Sequence, residues 1–314
     1  MIKKIIFLSI LSLIISCTST TEPAEEEIAW VDFEWETHSI RDIEYEKASI
    51  NIPVSIDGVA DDFSMQFDLG ANLTMLYGQT FKPYFDAFPD LVNRIDTLNG
   101  YPYLTNTTLT LDKEYAAADF SLFYESNFGE VLDETEVGNS AVKHIGTIGA
   151  NLLKEKVLVI DYPAGRLAIL DSIPTVFRKT DENVDITLDR WGRVHLPIQV
   201  NGEEKIVLFD TGSSIFTLLT STSNWEQSTD AIKQDSILTS TWGEYYYTYA
   251  ADVEKVTLGT TELQDLRLFD AQYLSDFIAH ENIWGIMGNA HFFDHTVVVD
   301  FKNLKFGLIK NSSE

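Results

Sequence analysis

The chain has a single cysteine, Cys17, among its 314 residues. One cysteine forms neither an internal disulfide nor a cysteine-based metal centre, so the fold must depend on its hydrophobic core. Glycine-rich phosphate loops and the turn that carries a nucleophilic serine are also absent. The sequence therefore offers no motif for phosphate-loop nucleotide binding or for serine hydrolase chemistry.

Basic residues are scarce. The chain has 22 lysines and arginines against 49 aspartates and glutamates, and its formal net charge is −27. A surface this acidic repels phosphate backbones and anionic lipid headgroups. We therefore expect no nucleic-acid partner, and we attribute the acidity to solubility.

Beyond its first residues the chain lacks a long apolar run. Residues 1–16 contain two lysines and a short apolar segment, a pattern that predicts a secretory signal peptide. The stretch "IISC" ends at Cys17 and resembles a bacterial lipobox. This implies a lipid on Cys17 and a location in the bacterial cell envelope, at the outer membrane, with membrane contact only through that anchor. The alternative is an unmodified, reactive thiol in a cleaved or disordered leader. Residues 17–29 are polar and acidic, and we interpret them as a tether.

What the sequence does contain is an internal repeat. The segment "INIPVSIDG" (50–58) matches "VHLPIQVNG" (194–202), and "FSMQFDLGANLTML" (63–76) matches "KIVLFDTGSSIFTLL" (205–219). An internal duplication of about 140 residues explains the shared order and spacing. The offsets are 144 residues for Pro53 and Pro197, 142 for Asp68 and Asp210, and 139 for Gly149 with Gly288 and for Asp161 with Asp300.

The rest of the sequence consists mostly of short β-rich runs separated by Gly, Asn and Asp. Alternating apolar residues followed by Asp-Gly or Asn-Gly predict β-hairpins. Helices are expected only as short segments after each glycine motif. We predict an all-β fold with two similar domains, residues 30–172 and 180–312, each a small β-barrel or sandwich, joined by a polar linker near 171–185.

Each half carries an apolar strand that ends in Asp, two residues before a Gly: Asp68 with Gly70, and Asp210 with Gly212. Glycine permits a sharp turn and leaves the space above it open. Two such carboxylates brought together cannot both ionise cheaply, so the pair holds a single proton. The ionised member can accept a proton from a water while the protonated member polarises a carbonyl. Such a pair hydrolyses amides without a metal, a cofactor or a covalent intermediate.

The sequence resembles the aspartic peptidases of the pepsin and retropepsin type. The second half has "DTGSS" (210–214) and an apolar-apolar-Gly run (286–288), and the first half follows the same plan. The resemblance extends over nearly all of residues 48–310. It implies a two-lobed, pepsin-like fold in one monomeric chain, with a peptide or unfolded protein as substrate. It also implies a catalytic pair, Asp68 and Asp210, supported by Gly70, Asn72, Thr211, Gly212 and Ser214.

The first half departs from the family pattern at two positions. Leu69 replaces the hydroxyl residue that hydrogen-bonds across the axis in this family, and Asn72 stands where the repeat has Ser214. We expect Thr211 to lose its cross-axis partner, and Leu69→Thr to raise stability by about 1 kcal/mol. Asn72 is expected to donate a hydrogen bond to the neighbouring carboxylate. Leu69 also favours an alternative function, a catalytically idle lipoprotein that binds a peptide or a glycan.

The family closes its cleft with β-hairpin flaps. By position, the flap tips in this chain are "LNGYPY" (98–103) and "TSTWGEYY" (239–246). Tyr101 or Trp242 is then expected to lie over the substrate. The alternative is that both aromatic side chains only pack within their hairpins.

Two other polar pairs are candidate sites. His291 and His295 are four residues apart, a spacing that metals use, but no glutamate follows in the right place. We therefore predict a packing or surface role for them, with no metal. Asp161 and Asp300 repeat as faithfully as the first acidic pair, but each precedes an aromatic residue and a turn instead of a glycine. We predict that they cap turns.

Overall fold

The computed structural model describes residues 27–230, 232–233, 235–241 and 244–310. Strands make up 48% and helices 17% of the structure, which confirms the predicted all-β class. The predicted signal peptide, Cys17 and Trp242 lie outside the described residues. Within the described ranges, no helix combines the length and the apolar character needed to span a membrane.

The described part of the chain forms twenty-four strands. Those of the first half are β1 (Val31–Asp32), β2 (Glu34–Ile40), β3 (Ile43–Ile56), β4 (Phe63–Phe67), β5 (Met75–Tyr77), β6 (Ile95–Leu98), β7 (Tyr101–Leu111), β8 (Tyr115–Glu125), β9 (Lys143–Ile148), β10 (Val157–Asp161) and β11 (Arg166–Leu170). Those of the second half are β12 (Glu182–Asp185), β13 (Thr187–Leu188), β14 (Val194–Val200), β15 (Glu203–Phe209), β16 (Leu218–Thr220), β17 (Asp235–Thr241), β18 (Glu244–Asp252), β19 (Val256–Leu258), β20 (Thr261–Glu262), β21 (Arg267–Asp270), β22 (Gly285–Met287), β23 (His295–Asp300) and β24 (Lys305–Lys310).

Helices are short. The α-helices are α1 (Gly78–Ala87), α2 (Thr222–Ser228) and α3 (Ser275–Glu281). The predicted segments after the glycine motifs are single 3-10 turns at Ala150–Leu153 and Asn289–His291. Further 3-10 turns lie at Pro89–Arg94, Glu134–Glu136, Thr175–Phe177 and Gln272–Leu274.

Two sheets repeat one topology. The eight-stranded sheet has the order β2-β3-β4-β9-β5-β8-β7-β6, and the ten-stranded sheet has β17-β18-β21-β16-β22-β15-β14-β19-β20, with β13 beside β14. The order β3-β4-β9-β5-β8-β7-β6 in the first sheet corresponds strand by strand to β14-β15-β22-β16-β21-β18-β17 in the second. Their pairings also agree: β4–β9 and β15–β22 are parallel, and β5–β9 and β16–β22 are antiparallel. The duplication read from the sequence is therefore present in the strand order.

A third, six-stranded sheet joins the halves, in the order β1-β11-β10-β23-β24-β12. Strand β10 pairs antiparallel with β23, and Val159 lies opposite Val298. These residues are separated by the repeat's own offset of 139. A residue thus faces its own equivalent, which means that a pseudo-two-fold axis passes between the two central strands. The polar linker contributes β12 to this sheet.

The core follows from alternation along the strands. Every second residue of β4 and of β14 is buried, as expected for a strand with one face toward a core. The main apolar cluster takes side chains from both halves, including Phe67 and Phe209 at the ends of the two aspartate-bearing strands. The two halves thus share one continuous core beneath the candidate site.

Candidate active site

Asp68 and Asp210 occupy equivalent places in the fold. Asp68 follows β4, and its N–H donates to the Ile148 carbonyl at 3.0 Å. Asp210 follows β15, and its N–H donates to the Met287 carbonyl at 3.0 Å. In each half the aspartate is therefore fixed to the strand that carries the apolar-apolar-glycine motif.

The structure brings the two carboxylates together. A Cβ placed on Gly70 would lie 2.5 Å from the Asp210 Cγ, and a Cβ on Gly212 would lie 2.5 Å from the Asp68 Cγ. Each carboxyl group thus packs against the glycine of the opposite loop, and any larger residue there would push the pair apart. The two carboxyl groups hydrogen-bond to each other.

Backbone N–H groups also hold the pair. The Asp68 Oδ1 accepts hydrogen bonds from the N–H groups of Gly70 at 2.8 Å and Ala71 at 3.0 Å. The Asp210 Oδ1 accepts a hydrogen bond from the Gly212 N–H at 2.8 Å. The Gly70 N–H, from the opposite loop, also donates a hydrogen bond to the Asp210 carboxylate. Each carboxylate is therefore oriented by the turn on which it lies.

Burial raises the pKa of both carboxyl groups. The charge of Asp210 raises the pKa of Asp68 further, to well above its usual range. For Asp210, hydrogen bonds from Asp68 and from the backbone act against burial, and the rise in pKa is smaller. Both residues keep partial solvent exposure. Two adjacent carboxyl groups with raised pKa values favour a pair that holds one shared proton, and their partial exposure lets water reach it.

Asp68→Asn is expected to change how stability depends on pH. Because the folded pKa of Asp68 is raised, its contribution to stability is fully present below the unfolded value and is lost as the pH rises through the folded value. The wild type should therefore lose stability above about pH 4, and the variant should lose less. Denaturant unfolding across this range, with the exposed Asp86→Asn as control, measures the effect. Equal slopes for all three proteins would refute a raised pKa at Asp68.

Thr211 makes the cross-axis contact from one side. Its Oγ1 accepts a hydrogen bond from the Leu69 N–H at 2.9 Å and donates to the Phe67 carbonyl at 3.0 Å. The prediction that Thr211 lacks a partner is wrong, because its partners are the N–H of residue 69 and the carbonyl of residue 67, backbone groups that do not depend on the side chain at position 69. Leu69 is fully buried in the main core. Its side chain has an apolar packing role where the repeat has a hydroxyl.

This burial reverses the expected effect of Leu69→Thr. The lost apolar volume should cost about 2 kcal/mol, which exceeds the roughly 1 kcal/mol of a recovered hydrogen bond. Leu69→Val is the matched control, since valine has nearly the same shape as threonine but no hydroxyl. By the pseudo-symmetry, a hydroxyl at position 69 would meet the Phe209 carbonyl and the Thr211 N–H. Chemical denaturation should therefore find the Thr variant about 1 kcal/mol more stable than the Val variant. A less stable Thr variant would show that these backbone groups are out of reach.

Among the described residues, neither Asn72 nor Ser214 forms a side-chain hydrogen bond with Asp68 or Asp210. The expected hydrogen bond from Asn72 is not formed, and its Oδ1 has no partner among the described residues. Ser214 is buried and donates to the Thr211 carbonyl at 3.3 Å. This bond holds the backbone of the second aspartate loop.

Asn289 and Tyr162 belong to the site and were missed from the sequence. The Asn289 Nδ2 donates to the Thr211 carbonyl at 2.6 Å and to the Ser214 Oγ at 2.8 Å. Its Oδ1 accepts from the buried Tyr162 hydroxyl at 2.6 Å. Tyr162 lies in the first half, so this chain of bonds ties the second aspartate loop to the opposite half. Partners this far apart along the chain leave no local sequence signal.

Arg193 is a buried cation behind the first aspartate loop. It is 2% exposed, and its guanidinium donates to the Asp189 Oδ2 at 2.6 Å and contacts the Glu281 carboxylate. Its Nη1 also donates to the Gly70 carbonyl at 3.5 Å. Arg193 thus links the second half to the loop that positions Asp68.

The predicted flaps are hairpins at equivalent edges of the two sheets, β6–β7 and β17–β18. The first turns at Asn99 and Gly100, both with positive φ. Tyr101 is 60% exposed, and its ring packs edge-on against Phe123 at 6.1 Å. A position of Tyr101 over a substrate stays a prediction. Trp242 lies outside the described residues.

The histidine pair does not share a helix face. His291 ends a 3-10 turn and His295 begins β23, with their rings 6.0 Å apart. Burial lowers the pKa of His291 to about 4. In the described ranges, no group of three or more His, Cys, Asp or Glu residues is arranged to hold a metal ion.

The second acidic pair caps turns, as predicted. The Asp300 Oδ1 accepts hydrogen bonds from the N–H groups of Lys302 at 3.0 Å and Asn303 at 2.8 Å. Asp161 accepts a bond from the Arg166 Nε at 3.1 Å across its turn. Both carboxylates are thereby committed to their own turns.

The chemistry available at the site is that of two adjacent carboxyl groups with unequal proton affinities. One can act as a base and the other as an acid toward a molecule between them. Comparison of the sequence with protein-family models and with curated proteins gives no match.

Proposed function

We propose that the chain is an aspartic-type endopeptidase, which hydrolyses peptide bonds with the Asp68 and Asp210 pair and an activated water. The observation that carries this proposal is the mutual placement of the two carboxyl groups. Each lies against the glycine of the other loop, and the two hydrogen-bond to each other. Structural carboxylates are more often paired with a cation, whereas this arrangement creates a shared proton.

In the proposed mechanism, ionised Asp210 accepts a proton from a water between the two groups. Asp68, which retains its proton, donates a hydrogen bond to the substrate carbonyl. The water oxygen attacks the carbonyl carbon, and the resulting tetrahedral intermediate breaks when a proton passes to the leaving nitrogen. The glycines and the loop N–H groups keep both carboxyl groups in place, so little reorganisation is needed.

The repeated topology supports a two-lobed, pepsin-like fold. Two sheets with equivalent strand order, a joining sheet and a pseudo-two-fold axis fit the architecture implied by the resemblance. Both lobes are present in one chain, so a monomer has a complete pair. The proposed substrate is a peptide or an unfolded protein.

The experiment is hydrolysis of a chemically unfolded protein by the purified chain between acid and neutral pH. A shared proton predicts a bell-shaped rate profile, with one limb set by ionisation of the pair and the other by loss of the shared proton. A rate that is flat with pH, or unaltered when both aspartates are replaced, would exclude the pair as the catalyst.

A second candidate function is binding of a peptide or a glycan without hydrolysis. Leu69 favours it, because this side chain leaves the cross-axis contact one-sided. The two functions differ in their need for charge. A binding protein should retain its ligand equally well after both aspartates become asparagine, whereas a peptidase should lose turnover.

The cell-envelope location rests on Cys17 at the end of the signal-like segment. Cys17→Ser is expected to abolish incorporation of labelled fatty acid and to move the protein from the membrane to the soluble fraction, because a serine offers no thiol for the lipid. Cys17→Ala serves as a second variant without a nucleophile. Unchanged membrane retention in both would refute lipidation at this residue.

A further inference from the structure

Strand β3 is longer than the sheet requires. Its residue Asn51 pairs with Gln66 of β4, so Ser49 lies level with Asp68. The strand begins six residues earlier, at Ile43, and therefore runs about 20 Å beyond the aspartate. Strand β2 pairs along this extension, and together they form what we call the N-terminal hairpin (34–48). The equivalent strand β14 begins at Val194 and has no such extension.

The N-terminal hairpin reaches the second half. Near its tip the Tyr45 hydroxyl donates to the Leu238 carbonyl at 2.8 Å. At the tip the Arg41 Nη1 donates to the Tyr247 hydroxyl at 3.4 Å. Leu238 and Tyr247 belong to β17 and β18, the flap-equivalent hairpin. One element of the first half thus contacts the second half's flap.

Two further observations show that the hairpin is docked along its length. The Lys47 Nζ lies 4.4 Å from the centre of the Phe293 ring, close to the glycine motif of the second half. Ile40 is only 1% exposed although it immediately precedes the turn and its neighbours are exposed. An apolar side chain at a hairpin tip is buried only when another element covers it.

The base of the hairpin lies beside the carboxyl pair. Burial raises the pKa of Tyr77, and the charges of Asp68 and of Glu36 raise it further. Glu36 lies on β2 and pairs with Ser49, which is level with Asp68, so the register of the strands places the base of the hairpin beside the first aspartate. The hairpin therefore passes from the pair to the opposite flap.

We propose that the N-terminal hairpin closes one end of the cleft and selects polypeptides with a free end near the bound segment. A chain lying across both aspartates must stop before the hairpin or thread beneath it, which a folded domain cannot do. Substrates would then tolerate a bulky extension on one side of the bound segment only. This rests on the proposed cleft, but it holds for a binding protein as well as for a peptidase.

The test uses random dodecapeptides fused at either their amino or their carboxyl end to a small folded domain. We expect the wild type to cleave one fusion series about tenfold faster than the other. The release variant is Ile40→Asp with Tyr45→Phe, which removes the apolar contact and one hydrogen bond, each worth about fivefold in an equilibrium. It should bring the two rates within about twofold. Equal rates in the wild type, or an unchanged ratio in the release variant, would overturn the proposal.

Hydrogen exchange of the same proteins gives a readout that does not need activity. Amides of β17 and β18 should exchange about tenfold faster in the release variant, because the hairpin no longer covers them. The control is Val131→Asp with Tyr115→Phe, which introduces the same two residue types at an exposed valine and at a tyrosine of the first half. Unchanged exchange in the release variant overturns the docking. Faster exchange without cleavage of any fusion counts against the peptidase alone, and the fusions are then compared by binding.

Discussion

Asp210→Asn is expected to reduce turnover of an unfolded protein by about 10³-fold or more. In the proposed mechanism Asp210 is the ionised group that accepts a proton from water, since its pKa is raised less than that of Asp68. An asparagine amide cannot accept that proton. It also removes the neighbouring charge that helps to raise the pKa of Asp68, so the remaining acid loses its proton at lower pH.

Asp68→Asn should cause a similar loss by a different route, since it removes the proton donor and leaves the base. The exposed Asp86→Asn is the control for a loss of one carboxylate, and it should keep full activity. Rates are measured with matched protein concentrations across the whole pH range. More than a tenth of wild-type activity in either pair variant would show that the chemistry is done elsewhere.

Arg193→Met is expected to destabilise the protein by about 3 kcal/mol or more. Methionine fills a similar volume but leaves the Asp189 and Glu281 carboxylates, which are 11% and 18% exposed, without their cation. It also removes a hydrogen bond to the Gly70 carbonyl behind the candidate site. Urea unfolding at neutral pH measures the change.

Arg166→Met is the matched control, because that arginine pairs with Asp161 but is 39% exposed. It should cost about 1 kcal/mol or less. The loss of unfolding free energy caused by Arg193→Met should also be smaller at acid pH. Burial tends to raise the pKa of Asp189, but its hydrogen bonds, including those from Arg193, lower it overall, so the ion pair stabilises the fold above the unfolded pKa and less as the pH falls through the folded value. Equal losses for the two arginines would mean that the buried network is not a stability element.

Much of the fold could be predicted from local pattern. Alternation of apolar residues predicts strands, and Asp-Gly and Asn-Gly predict the hairpins, because both depend on backbone preferences that act over a few residues. The offset between Asp68 and Asp210 is close to the offsets of the other repeated residues, which predicts that the two aspartates occupy equivalent positions. Helix α1 was not foreseen. It lacks a capping side chain and contains Pro83, so intrinsic helix propensity does not favour a helix here. Burial of Phe81 and Tyr84 favours it instead.

By itself the sequence determined the all-β class, the duplication and the two aspartates on equivalent strand ends, since a repeated pattern fixes repeated local structure. Only the tertiary structure decided how the pair is held. Thr211 finds its partners on backbone 142 and 144 residues away, and Asn289 meets Tyr162 across 127 residues. The docking of the N-terminal hairpin on the β17–β18 hairpin of the second half is also a tertiary outcome. Such contacts depend on shape and burial between segments that are distant in sequence, and no local pattern carries that information.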